Sequence, residues 1–168
     1  TWTFEIRPDV TFHDGEPLTA DAVVASIEAA KDHAGASFIW APLESITATG
    51  PLTVEMQLSY AAPLDLIASS LYGAWIVSPK ALEAVAADPG YFEAGAGVDA
   101  GTGPYTIDSY TPDSEVLLKA YPEYWGGWDD VQHYDQVLVS IIPEAIDQQQ
   151  ALDGGDVDIA FSVPLESI

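Results

Sequence analysis

Cysteine is missing from this chain of 168 residues. That excludes a disulfide framework, thiolate zinc sites and a cysteine nucleophile. Positive charge is nearly missing too: Arg7, Lys31, Lys80 and Lys119 face 27 acidic residues, for a net charge of −23. Nucleic acid binding needs clustered Lys and Arg, so that class is excluded, and docking on an anionic membrane surface is disfavoured for the same reason. The sequence has no apolar run of the roughly eighteen residues that a membrane-spanning helix requires. It shows no internal repeat, which removes solenoids and propellers.

Catalytic signatures are also scarce. There is no Gly-x-Ser-x-Gly elbow. Gly101-Thr102-Gly103-Pro104 lacks the Gly-Lys-Ser/Thr of a phosphate loop and precedes a strand rather than a helix, so it reads as a turn that exploits glycine's freedom at positive φ. His13, His33 and His133 are too dispersed for a metal motif and read as surface or turn residues. Asp153, Asp156 and Asp158 do not follow the EF-hand order and read as a solvated turn. No metal or cofactor is implied. With 27 carboxylates, a neighbouring pair such as Asp129-Asp130 says almost nothing about a glycosidase-type site, and a secreted acidic hydrolase stays as the enzyme alternative.

What the chain does have is apolar material, 48% of its residues, and many rings, with five Trp and eight Tyr. That is enough for a core and leaves aromatic side chains for a binding cleft. The pattern predicts a mixed α/β fold. Trp2, Phe4 and Ile6 alternate with polar neighbours, as in a half-buried strand over residues 1–7. His13-Asp14-Gly15 reads as a tight turn, and Thr19 caps a helix over 20–33. Strands at 45–49 and 52–58 form a hairpin through Gly50-Pro51, followed by a short helix over 63–71. Ser78-Pro79 is a helix start, with serine as the N-cap, and Asp88-Pro89-Gly90 is its stop. The Gly- and Ala-rich stretch 93–102 reads as a hinge-like boundary, dividing the chain into units 1–98 and 99–168. Beyond it come a hairpin of 105–110 and 115–120, a strand at 136–142, a helix over 144–152 stopped by Gly154, and a strand at 157–161. The last three predict a right-handed parallel β-α-β unit.

Several segments, in order, carry a resemblance. They are Thr3-Phe4-Glu5-Ile6-Arg7-Pro8; Phe12-His13-Asp14-Gly15; Leu18-Thr19-Ala20-Asp21-Ala22-Val23; Ile76-Val77-Ser78-Pro79-Lys80; Gly101-Thr102-Gly103-Pro104-Tyr105; Tyr121-Pro122-Glu123-Tyr124-Trp125-Gly126; and Leu152-Asp153-Gly154-Gly155-Asp156-Val157-Asp158. Together they resemble the family 5 extracellular solute-binding proteins, the peptide- and nickel-type receptors of ABC importers. Lys119-Ala120-Tyr121 departs from the Arg-Asn that often precedes the proline of that segment.

The resemblance implies part of a type II periplasmic-binding lobe, in which 1–98 form an additional subdomain and 99–168 return to the first main lobe. Members are much longer, so the chain reads as a fragment. Such a receptor closes on a solute by hinge motion, hands it to a membrane permease and does no chemistry. By position, Phe38 and Trp40 after the first helix, Tyr72, Gly73 and Ala74, and Phe161-Ser162 would line this lobe's cleft wall. Nickel-type members carry arginines in the first two of these places and this chain has none, which favours oligopeptide or another organic solute. The implied location is outside the membrane, with a lipid anchor in the full-length protein. A purely structural lobe without binding of its own is the remaining alternative.

Overall fold

The computed structural model describes residues 1–33, 35, 37–70, 73–94, 99–129 and 131–163. Among them are two three-stranded antiparallel sheets and four α-helices.

The first sheet has the order β1-β3-β2, with β1 at Trp2–Glu5, β2 at Leu43–Gly50 and β3 at Thr53–Leu58. The hairpin between β2 and β3 turns at residues 51–52, as the Gly50-Pro51 signal predicts. Register explains the alternation. Val54 lies between Phe4 and Ala48, and Met56 between Trp2 and Ile46, so one face of the central strand is closed on both sides. Val54 and Met56 are buried, while Thr53, Glu55 and Gln57 occupy the alternate positions.

Helix α1, Ala20–Asp32, covers that face. Thr19 caps it by accepting the Ala22 N–H at 3.2 Å, one of the donors a helix start leaves unpaired. Val23 and Ile27 enter the core with Trp40, Leu43, Ile46, Val54, Met56 and Leu64. Ser26 is the polar residue on this buried face. Its hydroxyl donates to the Ala22 carbonyl at 2.8 Å and accepts the Val77 N–H at 2.9 Å, tying α1 to the segment that leads into the third helix.

Two helices follow the hairpin, α2 at Leu64–Ala68 and α3 at Pro79–Ala87, with a 3-10 turn at Tyr91–Ala94. The start and stop of α3 match the Ser78-Pro79 and Asp88 signals, but Ser78 does not cap it with its side chain. Its carbonyl accepts the Leu82 N–H, while its fully buried hydroxyl donates to the carboxylate of Asp14. A charged acceptor makes the stronger bond, so the serine serves the loop rather than its helix.

The second sheet has the order β4-β5-β6, with β4 at Tyr105–Thr111, β5 at Glu115–Ala120 and β6 at Gln136–Ser140. Asp113, at φ 57°, closes the β4–β5 turn. Helix α4, Ala145–Gly154, ends two residues later than the sequence suggests, and its stop is Gly155 rather than Gly154. Gly155 at φ 76° is the left-handed residue, and the Asp156 N–H returns to the Ala151 carbonyl at 2.8 Å, a Schellman closure.

Among the described residues, the parallel unit expected after β6 is not seen. No strand is found within residues 157–163, and β6 pairs only with β5. Alternating side chains alone do not make a strand: among the described residues, 157–161 join no ladder, although the outer edge of β6 is unpaired. Helix α4 buries no residue, and Leu138, Val139, Ile146 and Leu152 are exposed, so this end of the chain adds little to the core.

Candidate functional site

Of the proposed cleft residues, Trp40 is the most constrained. It is 1% exposed and sits in the core, which corrects its assignment as a ligand contact: a ring sealed from solvent cannot meet a solute. Its indole N–H instead donates to the Gly73 carbonyl at 2.8 Å. A buried tryptophan needs an acceptor for that N–H, and a loop carbonyl supplies one. The bond pins the loop beyond α2 to the loop beyond α1. Gly73, at φ 68°, has a backbone conformation that a side chain would disfavour. Ala74 and Ile76 pack against the same core.

Trp40, Gly73 and Ala74 therefore come together, with Trp40 as support and the loop as surface. Phe38, 65% exposed, precedes Trp40 on its loop, and Trp75, 64% exposed, follows Ala74. Tyr72 lies outside the described residues. Phe161 is 90% exposed, and the Ser162 N–H donates to Oε1 of Gln148 at 3.1 Å, which attaches this pair to α4. Two shallow surface depressions, one bounded by Thr19 and Pro51 and one by Trp2 and Tyr60, include none of these residues.

The most ordered polar arrangement lies elsewhere, where the turn before α1 meets residues 99–103. His13, read from sequence as a surface or turn residue, does occupy a turn, closed by the Gly15 N–H to the Phe12 carbonyl at 2.9 Å with Gly15 at φ 88°. Its side chain, however, is only 4% exposed. Nδ1 lies 2.7 Å from Oδ1 of Asp99 and Nε2 lies 2.8 Å from the Gly103 carbonyl. The His13 backbone N–H donates to the Gly101 carbonyl at 2.9 Å, and the Ser78 N–H to the Ala100 carbonyl at 3.0 Å. The Tyr121 ring meets the imidazole edge-on at 4.8 Å.

Asp99 is anchored further by the Ile107 N–H, which donates to Oδ2 at 2.9 Å, and by the Gly101 N–H, which donates to Oδ1 at 3.3 Å. Burial opposes charge on both partners. For His13, the bonds to Asp99 and Gly103 and the carboxylates of Asp99 and Asp14 outweigh it, and the pKa is raised. For Asp99, the bonds from His13, Ile107 and Gly101 and the His13 charge outweigh it, and the pKa is lowered. This is the one ion pair found among the described residues.

Beside it, the Trp125 indole N–H donates to the Thr102 carbonyl at 2.9 Å, and the Arg7 guanidinium lies 4.6 Å from the centre of the Trp125 ring. The glycines of residues 101–103 thus act through their carbonyls. Neither has positive φ, and a Cβ on Gly101 would meet only ordinary contacts, so the positive-φ turn read from sequence is not what they make. Both halves of this arrangement, Phe12-His13-Asp14-Gly15 and Gly101-Thr102-Gly103, stand out in the sequence, which carries no signal for their contact across 86 residues. Among the described residues, no three His, Asp or Glu side chains converge as a metal-binding group.

The family model for bacterial extracellular solute-binding proteins, family 5 (middle region), matches residues 1–168. The chain belongs to this family. It is 31% identical over 170 residues to the probable D,D-dipeptide-binding periplasmic protein DdpA of Escherichia coli K12, a match that covers 99% of this chain and 32% of that protein. Among solved structures it resembles the binding protein MoaA of A. tumefaciens R10, in complex with mannopinic acid, at a TM-score of 0.77 and 28% identity over 94% of this chain and 31% of that one. It also resembles a nickel ABC transporter protein of Bacillus halodurans at a TM-score of 0.73 and 29% identity, covering 99% and 32% of the two chains. The family 5 chain described here therefore spans about a third of the length of these relatives.

Proposed function

We propose that this family 5 chain is one wall of a solute-binding receptor that serves an ABC importer, captures an oligopeptide outside the membrane and delivers it to the permease. The observation that carries the reading is the family match along all 168 residues. In this reading residues 1–98 are the additional subdomain and 99–168 belong to the first main lobe, with the His13–Asp99 contact as the join between them. Phe38, Gly73, Ala74, Phe161 and Ser162 face the solute, and Trp40 holds the Gly73 loop from beneath. The receptor is held near the membrane by a lipid anchor and carries out no reaction.

Peptide is preferred among organic solutes on two grounds. DdpA is named for a dipeptide, and the exposed rings of Phe38 and Trp75 offer stacking and apolar contact. A strongly anionic solute fits poorly with a chain of net charge −23.

The test is a thermal-shift screen of a chain of the relatives' length against di- to pentapeptides, opines and nickel complexes, with mass analysis of each solute afterwards. A receptor with solute at about 100 times Kd gains about 2.7 kcal/mol of stability and returns the solute unchanged. Conversion of any solute, or stabilisation by opines or nickel complexes alone, would overturn the peptide-receptor reading.

A further inference from the structure

We propose that the contact between the turn before α1 and residues 99–103 is a proton-dependent clasp: it is closed by a doubly protonated His13 and opens at Gly103 when that proton leaves. The clasp is independent of which solute, if any, the protein binds.

Both ring nitrogens of His13 lie at hydrogen-bond distance from oxygens, the Asp99 carboxylate at 2.7 Å and the Gly103 carbonyl at 2.8 Å. A carbonyl can only accept, and so can an ionised carboxylate, whereas a neutral imidazole carries a single N–H. The two bonds exist together only when the ring is an imidazolium. The surroundings favour that state. The charges acting on the ring are the carboxylates of Asp99, from residues 99–103, and Asp14, from its own turn. From the segment after β5 the ring meets Tyr121, whose hydroxyl bonds to Glu123.

Loss of the proton affects the two bonds unequally. Asp99 stays fixed by the Ile107 and Gly101 N–H groups and holds the remaining proton on Nδ1, because a bond to a charged acceptor is the stronger. Nε2 then turns a lone pair toward the Gly103 carbonyl, and two acceptors at that distance repel. The strand entry at Gly103 moves away, and the adjacent Thr102 carbonyl moves with it. That carbonyl accepts the Trp125 indole N–H, and Trp125 carries the Arg7 guanidinium on its ring. One proton on His13 is thereby read out at Trp125, where the segment after β1 touches the segment after β5.

Nuclear magnetic resonance of the 168-residue chain, titrated from about pH 5 to about pH 9, tests this without substitution. The expected result is a His13 ring protonated on both nitrogens at low pH, with a midpoint above the ordinary 6.5. Above that midpoint the ring carries its proton on Nδ1, and the Gly103 amide and Trp125 indole N–H resonances shift with the same midpoint. A His13 ring that is neutral at pH 6 or below would overturn the proposal. So would protonation at Nε2 alone above the midpoint, or a Trp125 indole resonance that ignores the His13 transition. In His13→Gln the shared transition should vanish from Trp125; its persistence would assign it to another group. If that variant does not fold, the unsubstituted chain decides the matter alone.

Discussion

Replacing Trp40 is the most informative perturbation of the paired loops at Trp40 and Gly73, because its two structural contributions can be separated. Trp40→Ala removes a ring that is 1% exposed and leaves a cavity among Val23, Ile27, Leu43 and Leu64. Truncations of this kind cost about 3–5 kcal/mol. Set against a total stability of about 5–15 kcal/mol, that is a large share. Trp40→Phe keeps most of the ring but leaves the Gly73 carbonyl without its donor, for a cost of about 1–3 kcal/mol. Trp75→Phe, at a position 64% exposed, should stay within about 0.5 kcal/mol of the parent.

Urea unfolding followed by circular dichroism reads all three. With a slope near 2 kcal/mol per molar, the midpoint should fall by about 1.5–2.5 M for the alanine variant, about 0.5–1.5 M for the phenylalanine variant and less than about 0.3 M for Trp75→Phe. Equal, small shifts at positions 40 and 75 would show that Trp40 is not the buried support described here. The two loops would then not be joined through the Gly73 carbonyl.

Thr19→Ala should lower stability by about 1 kcal/mol, because the Ala22 N–H loses its capping oxygen; chemical denaturation checks it. Gly155→Ala places a side chain at φ 76° with open space around it, so the cost of about 1–2 kcal/mol comes from the backbone alone, and a melting curve identical to the parent would contradict it. For His13→Gln the melting difference from the parent should depend on pH. The raised pKa of His13 makes its contribution complete below 6.5 and lost as pH rises through the folded value. The lowered pKa of Asp99 makes its contribution complete above 3.8 and lost as pH falls through the folded value. The gap should be widest between 3.8 and 6.5 and should narrow on both sides, as calorimetric scans at stepped pH would show.

Local chemistry was readable from sequence wherever neighbours in the chain determine it. Thr19 before Ala20, Pro79 after Ser78, and the alternation around Val54 each encode an element, and each element is present. Tertiary partners were not readable. Ser78 looks like a cap until Asp14 claims its hydroxyl, and Trp40 looks like a binding ring until the core closes over it. His13 is the clearest case, since its partners lie 86 and 90 residues away and only folding brings them together. Residues 157–161 show the opposite error, in which a good strand pattern pairs with no strand among the described residues even though the outer edge of β6 is free. The proposed wall residues Phe38, Gly73 and Ala74 follow from family position rather than from any local pattern.

The central claim, that these residues form one side of a cleft that holds a peptide without altering it, is tested most directly by calorimetry with a dipeptide and a pentapeptide series. Each should be titrated into the 168-residue chain and into a chain of the relatives' length. The account predicts saturable heat for the longer chain, no saturable heat for the 168 residues alone, and peptide recovered intact from both. Micromolar binding by the 168 residues alone, or cleaved peptide in either cell, would contradict it.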